Sequence, residues 1–360
     1  MSMFACDTKL VSGQGSIGYL GQMKIRRLLM VSDPYFVKSG VAQKVLRLSG
    51  AAETRIFDRV SPDPTVELAA EGTAVVREFQ PDTIVALGGG SAMDCAKAMM
   101  YFSKLSIRLV AIPTTSGSGS EVTDFAVLTC KNGKHPLVDV SLRPQVAILD
   151  GDLLKELPRA LIADAGFDVL SHALEALVAK DGGAITDALA REAFVTAFGL
   201  LPASYGGQTA VRQRIHDAAA MAGMAFTQAG LGLCHAMAHS LGGVFHIPHG
   251  RLGAILLPSV VSCNANLCAP KYAALSRAAG LGGSADAVAV RNLKNGLIRL
   301  RRELGMPQTL KEAGVDPREV RFYAGALVES AMADPCCKTN PIPVEGFMIR
   351  RILEEVTGGV

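Results

Sequence analysis

The first 150 residues alternate short apolar runs with segments of helical period. Strands are predicted where the runs are nearly continuous, at KIRRLLMVSD, ETRIFDRV, DTIVALGGG, RLVAIPTT and QVAILD, residues 24–33, 53–60, 82–90, 108–115 and 145–150. Intervening segments such as 65–80 carry apolar residues at helical spacing. This alternation is typical of a mostly parallel sheet covered by helices, and it predicts an α/β, Rossmann-like amino-terminal domain.

The pattern changes near Pro158. Strand-like runs nearly disappear, and long Ala- and Leu-rich stretches of helical period follow, at residues 160–179, 184–201, 212–232 and 344–356. We therefore expect an all-helical second domain. The change falls within GDLLKELP, which predicts domains at residues 1–155 and 156–360.

Composition narrows the class of protein. A chain of 360 residues with 49% hydrophobic content can form two domains, each with its own core. The net charge is +3, and the densest basic patch, RLRRE at 299–303, is interpreted as a solvated helix face. Clustered positive charge is expected of a nucleic-acid-binding protein, so no nucleic-acid partner is predicted. The eight cysteines form no CxxC pair, which favours reduced thiols.

No feature of the sequence predicts a membrane protein. There is no run of about 18 apolar residues. The amino terminus, MSMFACDTKL, lacks the apolar core of a signal peptide. A cytoplasmic protein is expected.

Two glycine-containing turns follow predicted strands. GGGSAMDCAKAM (88–99) follows TIVAL and leads into a helical pattern, and PTTSGSGSEVT (113–123) follows RLVAI. Such turns at the carboxyl ends of strands can bind a diphosphate, because glycines admit the ligand and helix N–H groups favour phosphate. An earlier GxGxxG, GQGSIG (13–18), has no strand of usual length before it and favours an edge strand and turn.

Asp33, in VSDPY, ends the first long strand. A carboxylate there could accept hydrogen bonds from a ribose and repel a 2′-phosphate, which favours NAD over NADP. Asp before Pro is also a common turn pair.

Four histidines lie within LCHAMAHSLGGVFHIPHG (233–250), and GFDVLSHALEA places Asp168 and His172 four residues apart. His235 and His239 share a helical face, so spacing alone favours them as a chelating pair. Ala236 stands where a zinc metalloprotease of the HExxH type needs its glutamate, which argues against that class.

Together, GGGSAMDCAK, PTTSGSGSEVT, GFDVLSHALEA and CHAMAHSLGGVFHIPHGRLGAILLP resemble the iron-containing (group III) alcohol dehydrogenase family. They occur in the family's order, from about residue 11 to the carboxy terminus. The resemblance implies a dehydroquinate synthase-like, two-domain architecture.

It also implies a metal site made of Asp168, His172, His235 and His249, holding Fe(II), with Zn(II) or another divalent ion as the alternative. His239 then becomes a catalytic residue near nicotinamide and substrate instead of a ligand, which revises the choice made from spacing. The role of His246 stays open.

The cofactor implied by the resemblance is NAD(H). Its diphosphate would contact Gly88, Gly89, Gly90 and Ser91. Thr114, Thr115 and Ser118 would line the adenine and ribose side, and Lys134 would reach the nicotinamide ribose. Asp94, from the same glycine motif, and Asp33 complete the candidate cofactor residues.

The expected reaction interconverts a short-chain aldehyde and its primary alcohol, propanal and 1-propanol or acetaldehyde and ethanol. Within the family, the chain looks most like the propanol and ethanol dehydrogenases of bacterial microcompartments. A homodimer, a location inside a microcompartment and an aldehyde dehydrogenase partner are expected on that basis. Four phenylalanines near the motifs are candidates for an apolar substrate wall: Phe125, Phe167, Phe226 and Phe245.

Other activities remain open. Lactaldehyde reductase-like and glycerol dehydrogenase-like reactions belong to the same class of oxidoreductase. A dehydroquinate synthase-like lyase would need several Lys and Arg residues around its phosphorylated substrate, and the metal-site motifs offer only Arg251.

Overall fold

The computed structural model describes residues 4–130 and 133–358. They form two compact units, one of Ala5–Leu157 and one that begins at Pro158. Each unit has its own architecture.

The first unit is built on a parallel sheet of six strands in the order β1-β8-β5-β4-β2-β3. A separate antiparallel hairpin pairs β6 with β7. The strands are β1 Lys9–Ser12, β2 Arg27–Ser32, β3 Glu53–Phe57, β4 Thr83–Gly88, β5 Arg108–Pro113, β6 Phe125–Cys130, β7 Gly133–Val138 and β8 Val146–Leu149.

Helices cover both faces of this sheet. Alternate residues of β2 enter different cores: Leu29 and Val31 join one, and Leu28 and Met30 join the other. Because both faces are buried, the central strands β2, β4 and β5 are apolar runs without polar alternation, as the sequence predicts. The helices of this unit are α1 Pro34–Lys38, α2 Val41–Ser49, α3 Val66–Phe79 and α4 Gly90–Ser103.

The observed elements of this unit agree with the predicted ones at some positions and differ at others. GQGSIG forms the expected turn after an edge strand, with positive φ at Gly13 and Gly15. The predicted strand 53–60 is shorter, ending at Phe57. The hairpin of β6 and β7 has no counterpart in the predicted elements.

Within its described residues, the second unit has helices and no strands, in agreement with the predicted fold class. Its helices are α5 Arg159–Val178, α6 Ala184–Tyr205, α7 Arg212–Ala229, α8 Leu233–Phe245, α9 His249–Ala278, α10 Asp286–Glu303, α11 Pro317–Ala333, α12 Cys336–Thr339 and α13 Gly346–Thr357.

Among the described residues, one helix, α9, is long and apolar enough to cross a membrane. However, 67% of its most apolar window is buried in the fold, and the core helices of globular proteins meet the same criteria.

The interpretation of RLRRE as a solvated face is wrong for one of its charged residues. Arg301 is buried, with its Nη1 donating to the carbonyl oxygens of Ala254 (2.8 Å) and Ile255 (3.2 Å) in α9. Burial lowers the pKa of Arg301 to about 10. This arginine ties α10 to α9, a role that a count of charges does not reveal.

Candidate metal and cofactor sites

Helix α5 carries three of the polar side chains of the candidate metal site on one buried face. Asp168, His172 and Glu175 follow at spacings of four and three residues, which places them along one side of a helix. His172 and Glu175 are buried, at 5% and 2% exposure, in a helix that is otherwise largely apolar. Polar groups buried in this way need partners, and the surrounding helices supply them.

Helix α9 crosses α5 at close range. A Cβ at Gly250 would collide with the carbonyl oxygen of Asp164, and one at Gly253 would lie 2.5 Å from the Ser171 hydroxyl. The two glycines thus permit an approach that places His249, the first residue of α9, beside Asp168. The Nδ1 atom of His249 lies 2.7 Å from Asp168 Oδ1.

The amino terminus of α8 is capped by side chains from distant parts of the chain. Gly232 precedes the helix and offers no side-chain cap. The Glu175 carboxylate instead accepts the backbone N–H groups of Gly232 (2.8 Å), Cys234 (2.6 Å) and His235 (3.3 Å). Asn340 Oδ1 accepts the N–H of Leu233 at 3.1 Å. These bonds satisfy backbone donors at the start of the helix and fix the position of the His235 backbone.

Glu175 also fixes the orientation of the His235 ring. His235 Nδ1 lies 2.7 Å from Glu175 Oε2, and both side chains are buried. Burial and the neighbouring imidazoles lower the pKa of His235 well below its usual value. A neutral ring that donates from Nδ1 presents the lone pair of Nε2, which is how a carboxylate orients a metal-binding histidine.

The Nε2 atoms of His235 and His249 are buried and have no hydrogen-bond partner within the described residues. One ligand atom each from Asp168, His235 and His249 lie within 4.8 Å of one another. His172 belongs to the same cluster: its ring stacks on His235 at 4.6 Å between centroids and on Phe226 at 4.4 Å. Four predicted ligands from three helices therefore converge.

The charge of this cluster suits a cation. Burial acts to raise the pKa of Asp168, but its interactions with His172 and His249 lower it on balance, so the carboxylate is ionised. One carboxylate and three imidazoles are a ligand set that Fe(II), Zn(II) and other divalent ions accept. The residues present thus fit a divalent metal.

His239 lies beside the cluster and is held by a different carboxylate. Its Nδ1 is 2.8 Å from Asp334 Oδ2, and its ring centroid is 5.3 Å from that of His249. Its side chain is 32% exposed, so solvent reaches it. Asp334 also accepts the N–H of Cys336 at 2.8 Å. This arrangement leaves His239 fixed in orientation and open to proton exchange.

His239, Asp334 and Cys336 form a second group of possible ligands within 4.8 Å. Both Asp334 oxygens are already engaged, and burial raises the pKa of the Cys336 thiol well above its usual value. Because metals bind the thiolate, this group suits a metal poorly. His246, whose role the sequence left open, is exposed and ends α8 in the left-handed conformation, with φ of 54°.

In the first unit, the glycine motif forms the turn between β4 and α4. Gly88 has φ of 153°, and a Cβ there would lie 2.7 Å from that of Ala92. Helix α4 begins at Gly90, and Gly89 before it supplies no side-chain cap. The turn therefore leaves helix N–H groups, including that of Ser91, for an anion such as a diphosphate.

The second predicted loop lies against this turn. The N–H of Thr114 donates to the Gly88 carbonyl at 2.9 Å. A Cβ at Gly89 would lie 3.2 Å from Thr115 Oγ1, and one at Gly90 would lie 3.0 Å from Ser118 Oγ. Thr114 is 1% exposed, and its hydroxyl has no partner within the described residues. An unpaired buried hydroxyl beside a glycine turn fits a polar ligand such as a nucleotide.

The remaining cofactor candidates differ in their surroundings. Asp33 Oδ1 accepts the N–H groups of Tyr35 and Phe36, while Oδ2 would lie 3.7 Å from a Cβ at Gly88, so this carboxylate is next to the glycine turn. Asp94 accepts hydrogen bonds from Ser120 Oγ (2.7 Å) and Val127 N (3.1 Å). The side chain of Lys134 lies outside the described part of the chain.

The four phenylalanines proposed for a substrate wall fall in different environments. Phe226 stacks on His172, whereas Phe167 is fully buried in α5. Phe125 belongs to β6, and Phe245 packs edge-on against Tyr323.

Sequence reasoning missed Glu175 and Asp334. Glu175 could have been found, because it lies one turn beyond His172 on the face that carries Asp168. Asp334 is 95 residues from His239, and no local pattern connects them.

Two models of one protein family match this chain. Residues 7–151 match the iron-containing alcohol dehydrogenase model, and residues 162–357 match the model of the carboxy-terminal part of the same family. The chain belongs to the iron-containing alcohol dehydrogenase family. It is an enzyme that interconverts alcohols and aldehydes, and membership implies a divalent metal and a nicotinamide cofactor.

Two relatives of this alcohol dehydrogenase match nearly end to end. The 1-propanol dehydrogenase PduQ of Salmonella typhimurium is 40% identical over 99% of this chain and 100% of the relative. The NADPH-dependent butanol dehydrogenase of Clostridium saccharobutylicum is 35% identical over 100% and 99%.

Two solved structures share the fold. The iron-containing alcohol dehydrogenase of Thermococcus thioreducens has a TM-score of 0.92 at 31% identity, covering 99% of this chain and 100% of that one. Sulfoacetaldehyde reductase of Bifidobacterium kashiwanohense, in complex with NAD+, has a TM-score of 0.90 at 26% identity, covering all of both chains.

Proposed function

We propose that this enzyme interconverts a short-chain aliphatic aldehyde and its primary alcohol, with propanal and 1-propanol as the preferred pair. Asp168, His172, His235 and His249 would hold the divalent metal, expected to be Fe(II). The observation that carries the proposal is the convergence of these side chains around the Nε2 atoms of His235 and His249, which have no hydrogen-bond partner among the described residues.

Each residue near the metal site has a definable task. A bound divalent ion would supply Lewis acidity toward the substrate oxygen. Glu175 keeps the Nε2 lone pair of His235 directed into the cluster. Asp334 holds His239 through Nδ1, which leaves Nε2 to deliver or accept the hydroxyl proton and exchange it with solvent.

The proposed cofactor is NAD(H), bound at the turn of Gly88, Gly89, Gly90 and Ser91 and at the loop of Thr114, Thr115 and Ser118. Asp33 supports NAD over NADP, because a carboxylate beside the glycine turn would repel a 2′-phosphate. One relative is described as NADPH-dependent, so the preference must be measured on this chain.

A cofactor-preference experiment tests the role of Asp33. Asp33→Gly should raise kcat/KM for NADPH relative to NADH, because the repelling charge is lost. Asp63→Gly, a change of the same type in a surface turn, should leave the ratio unchanged. An unchanged ratio in Asp33→Gly would refute the assignment.

The names of two relatives, a 1-propanol and a butanol dehydrogenase, support a small aliphatic substrate. The resemblance to microcompartment enzymes extends the proposal to a homodimer that acts inside a bacterial microcompartment in the cytoplasm. An aldehyde dehydrogenase would be its functional partner there, since both act on the same aldehyde.

The substrate is tested by NADH oxidation with metal-loaded enzyme and straight-chain aldehydes of increasing length. The proposal predicts the highest kcat/KM at propanal, with activity falling for longer chains. Higher kcat/KM for lactaldehyde, or for glycerol in the oxidative direction, would favour one of the alternative oxidoreductases.

The lyase alternative loses support from the structure. The Arg251 guanidinium donates to both oxygens of Asp164, through Nε at 3.1 Å and Nη2 at 2.8 Å. The cation on which a phosphorylated, carboxylated substrate would depend is therefore already paired.

A further inference from the structure

Lys97 is a fully buried cation that the proposed chemistry does not use. It lies on α4, two turns after the glycine motif, at 0% exposure. Its Nζ donates to Ser120 Oγ at 3.0 Å, Thr123 Oγ1 at 2.9 Å and Phe125 O at 2.8 Å. Three acceptors match the three protons of an ammonium group, so this lysine is held in its charged form.

The surroundings of Lys97 show how costly this charge is. Burial lowers its pKa to about 8, although the carboxylates of Asp94, Glu121 and Asp124 oppose the shift. Glu121 is also buried, which raises its pKa to about 7. Buried charged groups are often no more stabilising than apolar residues of the same size. Stability alone is therefore a weak reason for placing a lysine here.

The groups that Lys97 binds belong to the segment beside the glycine turn. Ser120 receives a hydrogen bond from Lys97 and donates one to Asp94 Oδ1 at 2.7 Å. The N–H of Ser120 donates to Ser118 Oγ at 3.3 Å, and Ser118 Oγ is the atom closest to a Cβ at Gly90. A chain of hydrogen bonds thus runs from the middle of α4 to the Ser118 hydroxyl, which lies beside Gly90 at the amino terminus of the same helix.

We propose that Lys97 and Asp94 are positioning residues that clamp the segment Thr114–Thr123 over the glycine turn and thereby set the affinity for the dinucleotide. This inference rests on the proposed NAD(H) site and assigns Asp94 to holding the loop instead of contacting the cofactor. Lys97 and Asp94 fix the Ser120 hydroxyl from both sides, because it accepts from the ammonium group and donates to the carboxylate. An apolar contact would leave the hydroxyl free to rotate.

The test measures NADH binding to the metal-loaded enzyme by fluorescence titration, together with steady-state kinetics. Lys97→Met should raise Kd and KM for NADH roughly tenfold, the scale expected for lost hydrogen bonds to a charged group. Turnover at saturating NADH should stay near that of the wild type. Metal content should not change, because the predicted ligands belong to the other unit.

Thr123→Val removes one acceptor of Lys97, together with a 3.4 Å hydrogen bond from the same hydroxyl to the Ser120 carbonyl, with little change in volume. It decides the matter if Lys97→Met does not fold. It should weaken NADH binding several-fold. Lys44→Met, on the exposed side of α2, is the matched control and should bind NADH normally.

Unchanged NADH affinity in folded Lys97→Met, or in Thr123→Val, would overturn the inference even if the melting temperature fell. In that case Lys97 has only a structural role. Failure of the wild-type enzyme to bind NADH would be a different result, since it would overturn the proposed cofactor site and the inference with it.

Discussion

At the scale of single residues, three histidines share one arrangement. The Nδ1 atoms of His235, His249 and His239 each lie 2.7–2.8 Å from a carboxylate oxygen. In each ring the other nitrogen, Nε2, remains for metal or proton. The carboxylates therefore determine which nitrogen of each imidazole is left to bind metal or exchange a proton.

Glu175→Gln should weaken metal binding without removing a ligand. An amide has one oxygen acceptor where the carboxylate has two, so it cannot accept the N–H groups of Gly232, Cys234 and His235 as well as the ring of His235. Loss of such a supporting partner typically costs about 10–100-fold in metal affinity. Competition with a chromogenic chelator measures this change, and exposed Glu354→Gln serves as the control. Equal affinities in both variants would show that Glu175 does not support the site.

His249→Ala and His239→Ala should separate metal binding from proton transfer. The first removes a proposed ligand, so bound metal measured by elemental analysis should fall along with activity. The second should keep the metal and slow turnover by roughly 10²-fold or more, as expected for a general acid–base residue. The reverse pattern would restore the pair His235 and His239, which spacing alone favours, as the metal ligands.

At the scale of elements, the site depends on how closely α5 and α9 approach. Gly250→Ala should destabilise the fold by about 1–3 kcal/mol, because a methyl group would force the helices apart. Gly199, exposed within α6 with open space around its Cβ position, is the matched control. Gly199→Ala should stabilise by roughly 0.5–1 kcal/mol through helix propensity. Urea unfolding measures both, and equal effects would contradict the proposed crossing.

Some helices and strands can be predicted from the hydrophobic pattern of the sequence, and others cannot. Buried parallel strands such as β4, and the long apolar helices, follow from hydrophobic pattern because burial on both faces determines their composition. The hairpin β6–β7 does not, since its strands are partly exposed and lie apart from the main sheet.

Some residues of the candidate site can also be predicted from the sequence, and others cannot. Residues on one helix, such as Asp168 and His172, can be grouped from their spacing. The choice between His239 and His249 required a resemblance, because it depends on where α9 begins relative to α5. The partners Asp334 and Asn340 come from the last 30 residues, and no local pattern links them to α8.

At the scale of the whole molecule, metal binding should couple to folding. A ligand that binds the native state alone, at 100 times its Kd, stabilises that state by about 2.7 kcal/mol. Added Fe(II) under anaerobic conditions should therefore raise the melting temperature of metal-stripped enzyme. The same addition to His249→Ala should have a much smaller effect. Equal shifts in the two proteins would indicate that the metal binds elsewhere.

The central claim is that this enzyme reduces a short-chain aldehyde with NADH only when its histidine cluster holds a divalent metal. The most direct measurement is anaerobic NADH oxidation with propanal, comparing metal-stripped enzyme with the same sample reloaded with Fe(II). The account predicts that activity is lost on stripping and returns with metal. Equal activity in both samples, or none in reloaded enzyme shown to bind both metal and NADH, would contradict it.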